Sequence, residues 1–355
     1  MLIETSHQDI IHDIAFNFDG NRFATASSDQ TMRVYNKVNG KWEKSAECKC
    51  HDGPIWKIRW ADPKFGSLIA TCSQDKGVCV WEEKKYLQES PSGQKQIIIQ
   101  WKQRILILES KEAVADIQFG SKSNGLLLAI AYVDGKLQIH RVYEQNQFIK
   151  EGEDIQIMVY GLRAISWNHA PLEREMLVAA GNAEQQKYLS KIKMDHFNGV
   201  KTMAIWMLEY ENQKFGMKKI YEFDEEKTIN DVQWANQHGK SFHLIASASA
   251  EGVKIWQIKI VYETQVEKMK VFNINRETKP NYHAYRLSWN ILANLLAVSC
   301  ESKKMDENQA FITSREVRIY QNQNGSWVAK GIIQEANFIR DSMYLQNFTS
   351  SGLIS

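Results

Sequence analysis

Apolar and polar residues alternate with a period of two over short runs, and these runs recur in a fixed order along the chain. In the clearest run, Trp56, Ile58 and Trp60 alternate with Lys57 and Arg59. A pleated strand imposes that period, because successive side chains point to opposite faces. Each such run ends in Phe or Trp and is followed by a run of small residues, then by a short run ending in an aromatic or His. The unit occurs six times. The first copy reads HDIAF, RFATASSD and MRVY from His12 to Tyr35, and the second IWKIRW, LIATCSQD and VCVW from Ile55 to Trp81. The third has ADIQF, LLLAIAYVDG and LQIH, and the fourth RAISW, MLVAAG and, after an insertion, MAIW. NDVQW, FHLIASASAEG and VKIW make the fifth, and YRLSW, LLAVSC and VRIY, ending at Tyr320, the sixth.

The anchors of the first runs are Phe16, Trp60, Phe119, Trp167, Trp234 and Trp289, so the gaps are 44, 59, 48, 67 and 55 residues. The shortest gap matches a four-stranded repeat of ~40–45 residues, and the longer ones fit the same unit with loop insertions. Seven of the eleven tryptophans (Trp60, Trp81, Trp167, Trp206, Trp234, Trp256 and Trp289) occupy the two aromatic positions of the unit, which chance would not arrange. The small second runs, Ala24 to Ser27 and Ala70 to Ser73 among them, suit strands crowded between two neighbouring sheets. None of the five prolines falls inside these strands, in keeping with paired, buried ladders. The pattern predicts an all-β propeller of six blades.

Composition narrows the function. Hydrophobic residues make up 43% and charged residues 24%, enough for a sizeable core. Lys plus Arg is 44 against 42 for Asp plus Glu, a formal charge of +2, far from the concentrated basic field of a nucleic-acid binder. No direct nucleic-acid partner is expected. The five cysteines, Cys48, Cys50, Cys72, Cys79 and Cys300, are odd in number and scattered, so a disulfide framework is not expected and a reducing compartment is. The start MLIETSHQDIIHDIAF lacks an apolar signal core, and no run of eighteen apolar residues occurs; the expectation is a soluble, unsecreted chain with no membrane insertion.

One recurring constellation looks chemical. His51, Ser73, Asp75 and Trp81 in the second copy are echoed by His7, Ser27, Asp29 and Tyr35 in the first, with His-to-Asp spacings of 24 and 22. Ser, His and Asp together invite a hydrolase reading. Their repetition at the blade period favours a structural network that ties the loop leading into each blade to a tight turn. Cys48, Cys50 and His51 form a CxCH cluster without a second cluster at ligand spacing, so no metal and no cofactor is expected. Glu82 and Glu83 beside Lys84 and Lys85 read as a solvated loop, as do the longer stretches 82–96 and 301–315. Gly-rich phosphate loops, GxSxG and HExxH are absent, and the chain is expected not to be an enzyme.

The segments SHQDIIHDIAF with ATASSDQTMRVY, HDGPIWKIRWADPKFGSLIATCSQD followed by VWEE, and GKSFHLIASASAEGVKIW resemble the Sec-thirteen/Seh-one family of WD-repeat proteins, with GKSFH and WEE most similar to its Seh-one nucleoporin branch. The resemblance covers roughly residues 6–333; the insertions AEQQKYLSKIKMDHFNG (183–199) and ESKKMDENQAFITSR (301–315) depart from it. It implies an open six-bladed ring completed by a blade from an α-solenoid partner in a hetero-oligomer. The implied setting is the Y-shaped nuclear pore scaffold at the nuclear envelope. The alternative is the related amino-acid-signalling coat of the TOR pathway, at a cytoplasmic or lysosomal/vacuolar membrane surface, or a vesicle coat. A peptide-recognition propeller is a further alternative and would need a closed ring.

A count supports the open ring. Blades at roughly 6–48, 49–108, 109–158, 159–224, 225–275 and 282–333, with Trp327 to Ile333 as the last outer strand, leave a tail of 22 residues, 334–355, about half a blade. Such a ring would expose apolar faces on blades one and six. Ile14, Phe16, Phe18, Tyr285, Leu287 and Trp289 are therefore the candidate partner-binding residues. Where Met1 to Thr5 pairs is left open, an extra outer strand on the donated blade being one place for its short apolar run.

Overall fold

The computed structural model describes residues 3–49, 51–89, 95–108, 110–120, 125–142, 147–157, 161–169, 175–181, 201–211, 214–237, 239–261, 265–274, 282–305 and 311–334. The insertion 183–199, the tail from 335 on, Met1, Leu2 and Cys50 lie outside them.

The described strands form six antiparallel sheets in chain order. Sheet 1 holds β1 (Ile11–Phe16), β2 (Arg22–Ser27), β3 (Thr31–Val38) and β4 (Lys41–Lys49). Sheet 2 holds β5 (Ile55–Trp60), β6 (Leu68–Ser73), β7 (Val78–Glu89) and β8 (Lys95–Ile107). Sheet 3 has β9 (Val114–Phe119), β10 (Leu127–Tyr132) and β11 (Lys136–Val142), with two short partners on β11, β12 (Phe148–Lys150) and β13 (Ile155–Gln156). In sheet 4 the strands are β14 (Leu162–Trp167), β15 (Met176–Gly181), β16 (Met203–Glu211) and β17 (Lys214–Glu222). Sheet 5 comprises β18 (Ile229–Trp234), β19 (His243–Ser249), β20 (Gly252–Val261) and β21 (Gln265–Ile274). Sheet 6 comprises β22 (Tyr282–Trp289), β23 (Leu295–Met305), β24 (Phe311–Gln323) and β25 (Ser326–Gln334). These are the blades of a six-bladed WD-repeat β-propeller. Each anchor aromatic is the last residue of the first strand of its sheet.

Contacts divide the chain into two compact units. One contains the chain up to Val133 with Gln138–Glu151, and the other Asp134–Leu137 with the part from Gly152 on. In the first, the apolar faces of β6 and β7 pack on β9 and β10 through Leu68, Ala70, Val80, Ile117, Phe119 and Leu128. Those of β2 and β3 pack on β5 through Ala24, Met32, Val34 and Ile58. In the second, β15 and β16 pack on β18 through Val178, Ile205, Val232 and Trp234, and β19 packs on β22 and β23 through Ala246, Leu287 and Val298. Second strands β6, β10, β15 and β19 are buried at every position, because side chains of both parities meet a neighbouring sheet. Small residues there let the sheets approach.

Two local expectations are corrected. Stretch 82–96 is largely strand: β7 and β8 pair from Val78 with Ile107 to Glu89 with Lys95. Stretch 301–315 likewise extends β23 and β24, with Glu301 opposite Arg315 and Met305 opposite Phe311. A two-stranded ribbon exposes much of both strands, so polar side chains suit it as well as they suit a loop. The Thr5 carbonyl accepts hydrogen bonds from Arg33 Nη1 and the Tyr35 hydroxyl, both at 2.6 Å.

Candidate interaction surface

The repeated His and Asp come together in both copies, with a partner that the sequence reading missed. His51 Nδ1 lies 2.9 Å from Asp75 Oδ2, and its Nε2 lies 3.0 Å from Thr71 Oγ1. His7 repeats this with Asp29 and Thr25, both at 2.7 Å. Ser73 and Ser27 do not reach the ring. Their Oγ atoms accept the backbone N–H of Asp75 at 3.1 Å and of Asp29 at 3.2 Å. Tyr35 turns to Thr5, and buried Trp81 Nε1 has no hydrogen-bond partner among the described residues. The available signal was the threonine two residues before the serine in both RFATAS and LIATCS.

Asp29 and Asp75 also hold tight turns in which Gln30 (φ 68) and Lys76 (φ 74) are left-handed, a strained state for non-glycine residues. The carboxylates accept from Thr31 N at 3.0 Å and Gly77 N at 2.8 Å. Burial alone would raise both carboxyls. For Asp29 the hydrogen bonds from Thr31, His7 and Gln8, and for Asp75 those from Gly77, Asp52 and His51, more than offset it and hold both below the ordinary range. Burial pushes His51 below its usual value against the pull of Asp75, so the ring is neutral at pH 7, with Nδ1–H donating to Asp75 and Nε2 accepting from Thr71. Neither serine is activated by a ring nitrogen, so the set is a structural clasp without a nucleophile. Both nitrogens of His51 are committed, and burial pushes the Cys48 thiol up to about 11; neither suits a metal ligand.

Paired carboxylates Glu82 and Glu83 are also not a solvated loop. Glu83 is nearly buried and takes a two-pronged bond from Arg22, at 2.6 and 3.0 Å. The same guanidinium lies over the rings of Trp60 and Trp101, at 5.2 and 5.5 Å.

Burial along the repeat separates two sheet faces from the others. Two residues before each anchor stand Ile14, Ile58, Ile117, Ile165, Val232 and Leu287. The last five are buried, whereas Ile14 is 52% exposed. Its anchor Phe16 is 55% exposed and the following Phe18 70%. Phe16 is held by Phe23 and Trp42, at centroid distances of 5.6 and 5.9 Å.

On sheet 6, β23 differs from the other second strands. Leu296, Val298 and Cys300 are buried while Leu295, Ala297 and Ser299 are half-buried, the alternation of a strand with one covered and one open side. Tyr285 is 42% exposed on that sheet. Leu287 and Trp289 are not on the open side: the Leu287 N–H donates to Asp231 at 2.9 Å, and the Trp289 indole donates to the Gln233 carbonyl at 3.1 Å, both toward sheet 5. The structure thus groups Ile14, Phe16 and Phe18, leaves Tyr285 exposed, and assigns Leu287 and Trp289 to the joint with sheet 5.

Comparison with known proteins follows the same lines. The WD domain, G-beta repeat model matches residues 2–36 and 42–82, the two copies that keep His, Thr and Asp together. Nucleoporin SEH1-A of Xenopus laevis is 29% identical over 313 residues, spanning 84% of this chain and 81% of its own. Nucleoporin SEH1 of Homo sapiens matches to the same extent, and that of Osmerus mordax is 30% identical over 310 residues, 84% of this chain and 79% of its own. With six blades, the repeated clasp and likeness across most of both chains, this chain belongs to the nucleoporin SEH1 family of WD-repeat proteins.

Proposed function

We propose that the chain is a non-enzymatic scaffold subunit of the nuclear pore at the nuclear envelope, and that it binds an α-solenoid nucleoporin by accepting a blade from it. The observation that carries this reading is the exposure of Ile14, at a repeat position whose other five members are buried, together with that of its anchor Phe16. Covering Ile14, Phe16 and Phe18 would gain about 1.5–3 kcal/mol for each side chain fully buried, and partner strands of the kind this chain stacks on itself would do so. The half-open β23 on sheet 6 is a separate candidate face for a partner. Family likeness to nucleoporins supports the pore setting and a structural, non-enzymatic role.

The test is gentle purification of the tagged full chain with quantitative mass spectrometry. A solenoid nucleoporin in equal amount is expected. Recovery of the chain as a lone monomer contradicts the reading, and recovery with an amino-acid-signalling coat in its place moves the same docking mode to that complex.

A further inference from the structure

Joints between neighbouring sheets repeat, and sheet 6 carries one side of such a joint on its open face. The Trp60 indole N–H donates to the Ala15 carbonyl at 3.0 Å, and the Trp289 indole N–H to the Gln233 carbonyl at 3.1 Å. In both cases the accepting residue directly precedes the anchor of its own sheet and pairs with an alanine: Ala15 with Ala24, Gln233 with Ala246. An alanine there leaves room for the incoming ring. Ser288 has the same setting, directly before Trp289 and paired with Ala297. Ser288 is exposed and Ala297 half-buried, whereas Ala24 and Ala246 are wholly buried.

The charged part of the joint repeats as well. Three residues before the anchor stand Asp13, Lys57, Asp116, Asp231 and, in sheet 6, Arg286, with the uncharged Ala164 in sheet 4 as the one exception. Asp13 accepts from the Ile58 N–H at 3.1 Å and from Arg59, and Asp231 accepts from the Leu287 N–H at 2.9 Å. Lys57 is the basic member of these joints, and it meets Asp116, the residue at the same place in the next sheet, at 3.7 Å. Arg286 is basic and exposed. A cavity of about 450 Å³ opens on the same sheet, lined in part by Tyr285, Ser299, Val317 and Ile333.

We infer, building on the reading that a partner covers this face, that the strand seated on sheet 6 carries an acidic residue, an aliphatic residue, any residue and a tryptophan in succession. Its carboxylate pairs with Arg286, and its indole N–H donates to the Ser288 carbonyl. The aliphatic residue faces the small side chains around Ala297, and neighbouring partner side chains fill the cavity. Asp231-Val232-Gln233-Trp234 has the same order of residue types, although its indole donates to His243 within sheet 5 at 3.3 Å and not across a joint. Phenylalanine at the last place, as in Asp13 to Phe16 and Asp116 to Phe119, would fill the volume without the hydrogen bond.

The test uses the full chain with its copurified partner subunit and a photo-crosslinking benzoylphenylalanine at Ser288 or, separately, at Phe18. The Ser288 adduct is expected on a partner peptide with Asp or Glu three residues before a Trp. An adduct on a peptide lacking that pattern, on a second copy of this chain, or from Phe18 alone overturns the inference and leaves partner docking standing. Adducts from neither position overturn both. In titration with the purified partner, R286E should weaken binding about tenfold at low salt, and a basic residue in place of the partner's carboxylate should restore it. Unchanged affinity contradicts the charge pairing.

Discussion

The indole N–H of Trp60 donates to the backbone carbonyl of Ala15 at 3.0 Å, joining the first strand of sheet 2 to the first strand of sheet 1. The ring also packs edge-on against Trp101 at 5.7 Å and under the Arg22 guanidinium, so one residue combines area, a directional bond and a cation contact.

Trp60→Phe keeps most of the area and loses the donor, and should destabilise the chain by about 1–2 kcal/mol. Trp60→Ala adds a cavity and should cost about 3–5 kcal/mol. Equilibrium urea unfolding followed by circular dichroism reads the difference.

In the clasp, Thr71 matters more than Ser73. Thr71→Val keeps the shape and leaves buried His51 Nε2 without its donor, at a cost of about 1–3 kcal/mol. Thr71→Ser restores the hydroxyl and should recover most of it. Ser73→Ala removes one bond to a part-buried backbone N–H, for about 1 kcal/mol. Thermal melts of the three variants give the order, and a larger loss for Ser73→Ala would show that the serine is the central member.

Acid should unfold the protein in two stages. The folded-state value of His51 lies below its ordinary 6.5, so below pH 6.5 the unfolded chain takes up a proton that the folded chain refuses. The stability this supplies is complete above that pH and is lost as pH falls. Asp29 and Asp75 lie below their ordinary 3.8, and their contribution is present above that value and disappears below it. His51→Gln should flatten the stability profile between pH 7 and 5 and leave the drop below pH 4. A profile from unfolding midpoints at closely spaced pH values checks this.

Glu83→Ala should cost about 2–4 kcal/mol, because it strips a nearly buried, two-pronged partner from Arg22. A solvated carboxylate would cost under 0.5 kcal/mol. Denaturant midpoints distinguish the two, and a double-mutant cycle with Arg22→Ala isolates the pair from the ring contacts.

The strands and their anchors were legible in the sequence because period-two alternation and a terminal aromatic are local signals, and all six anchors end first strands. Which neighbour each face meets was not. Alternation defines two faces of β22 without naming their partners, so Leu287 and Trp289 read as open when they pack toward sheet 5, and Arg286 and Ser288, which alternate with them, passed unnoticed. Thr71 and Ser73 share a face of β6, and only the path of the loop carrying His51 decides which meets the ring. Glu83 looked solvated because its cation, Arg22, lies 61 residues away in another sheet.

The bared apolar face of sheet 1 is the surface proposed to take up a solenoid nucleoporin. Ile14→Asp with Phe16→Asp tests it most directly, through partner recovery in affinity purification beside the melting temperature of the isolated chain. Both residues are more than half exposed, so the double variant should fold and melt close to the parent while the solenoid subunit is lost from the purified complex. A folded double variant that still brings down the solenoid in equal amount would contradict the account.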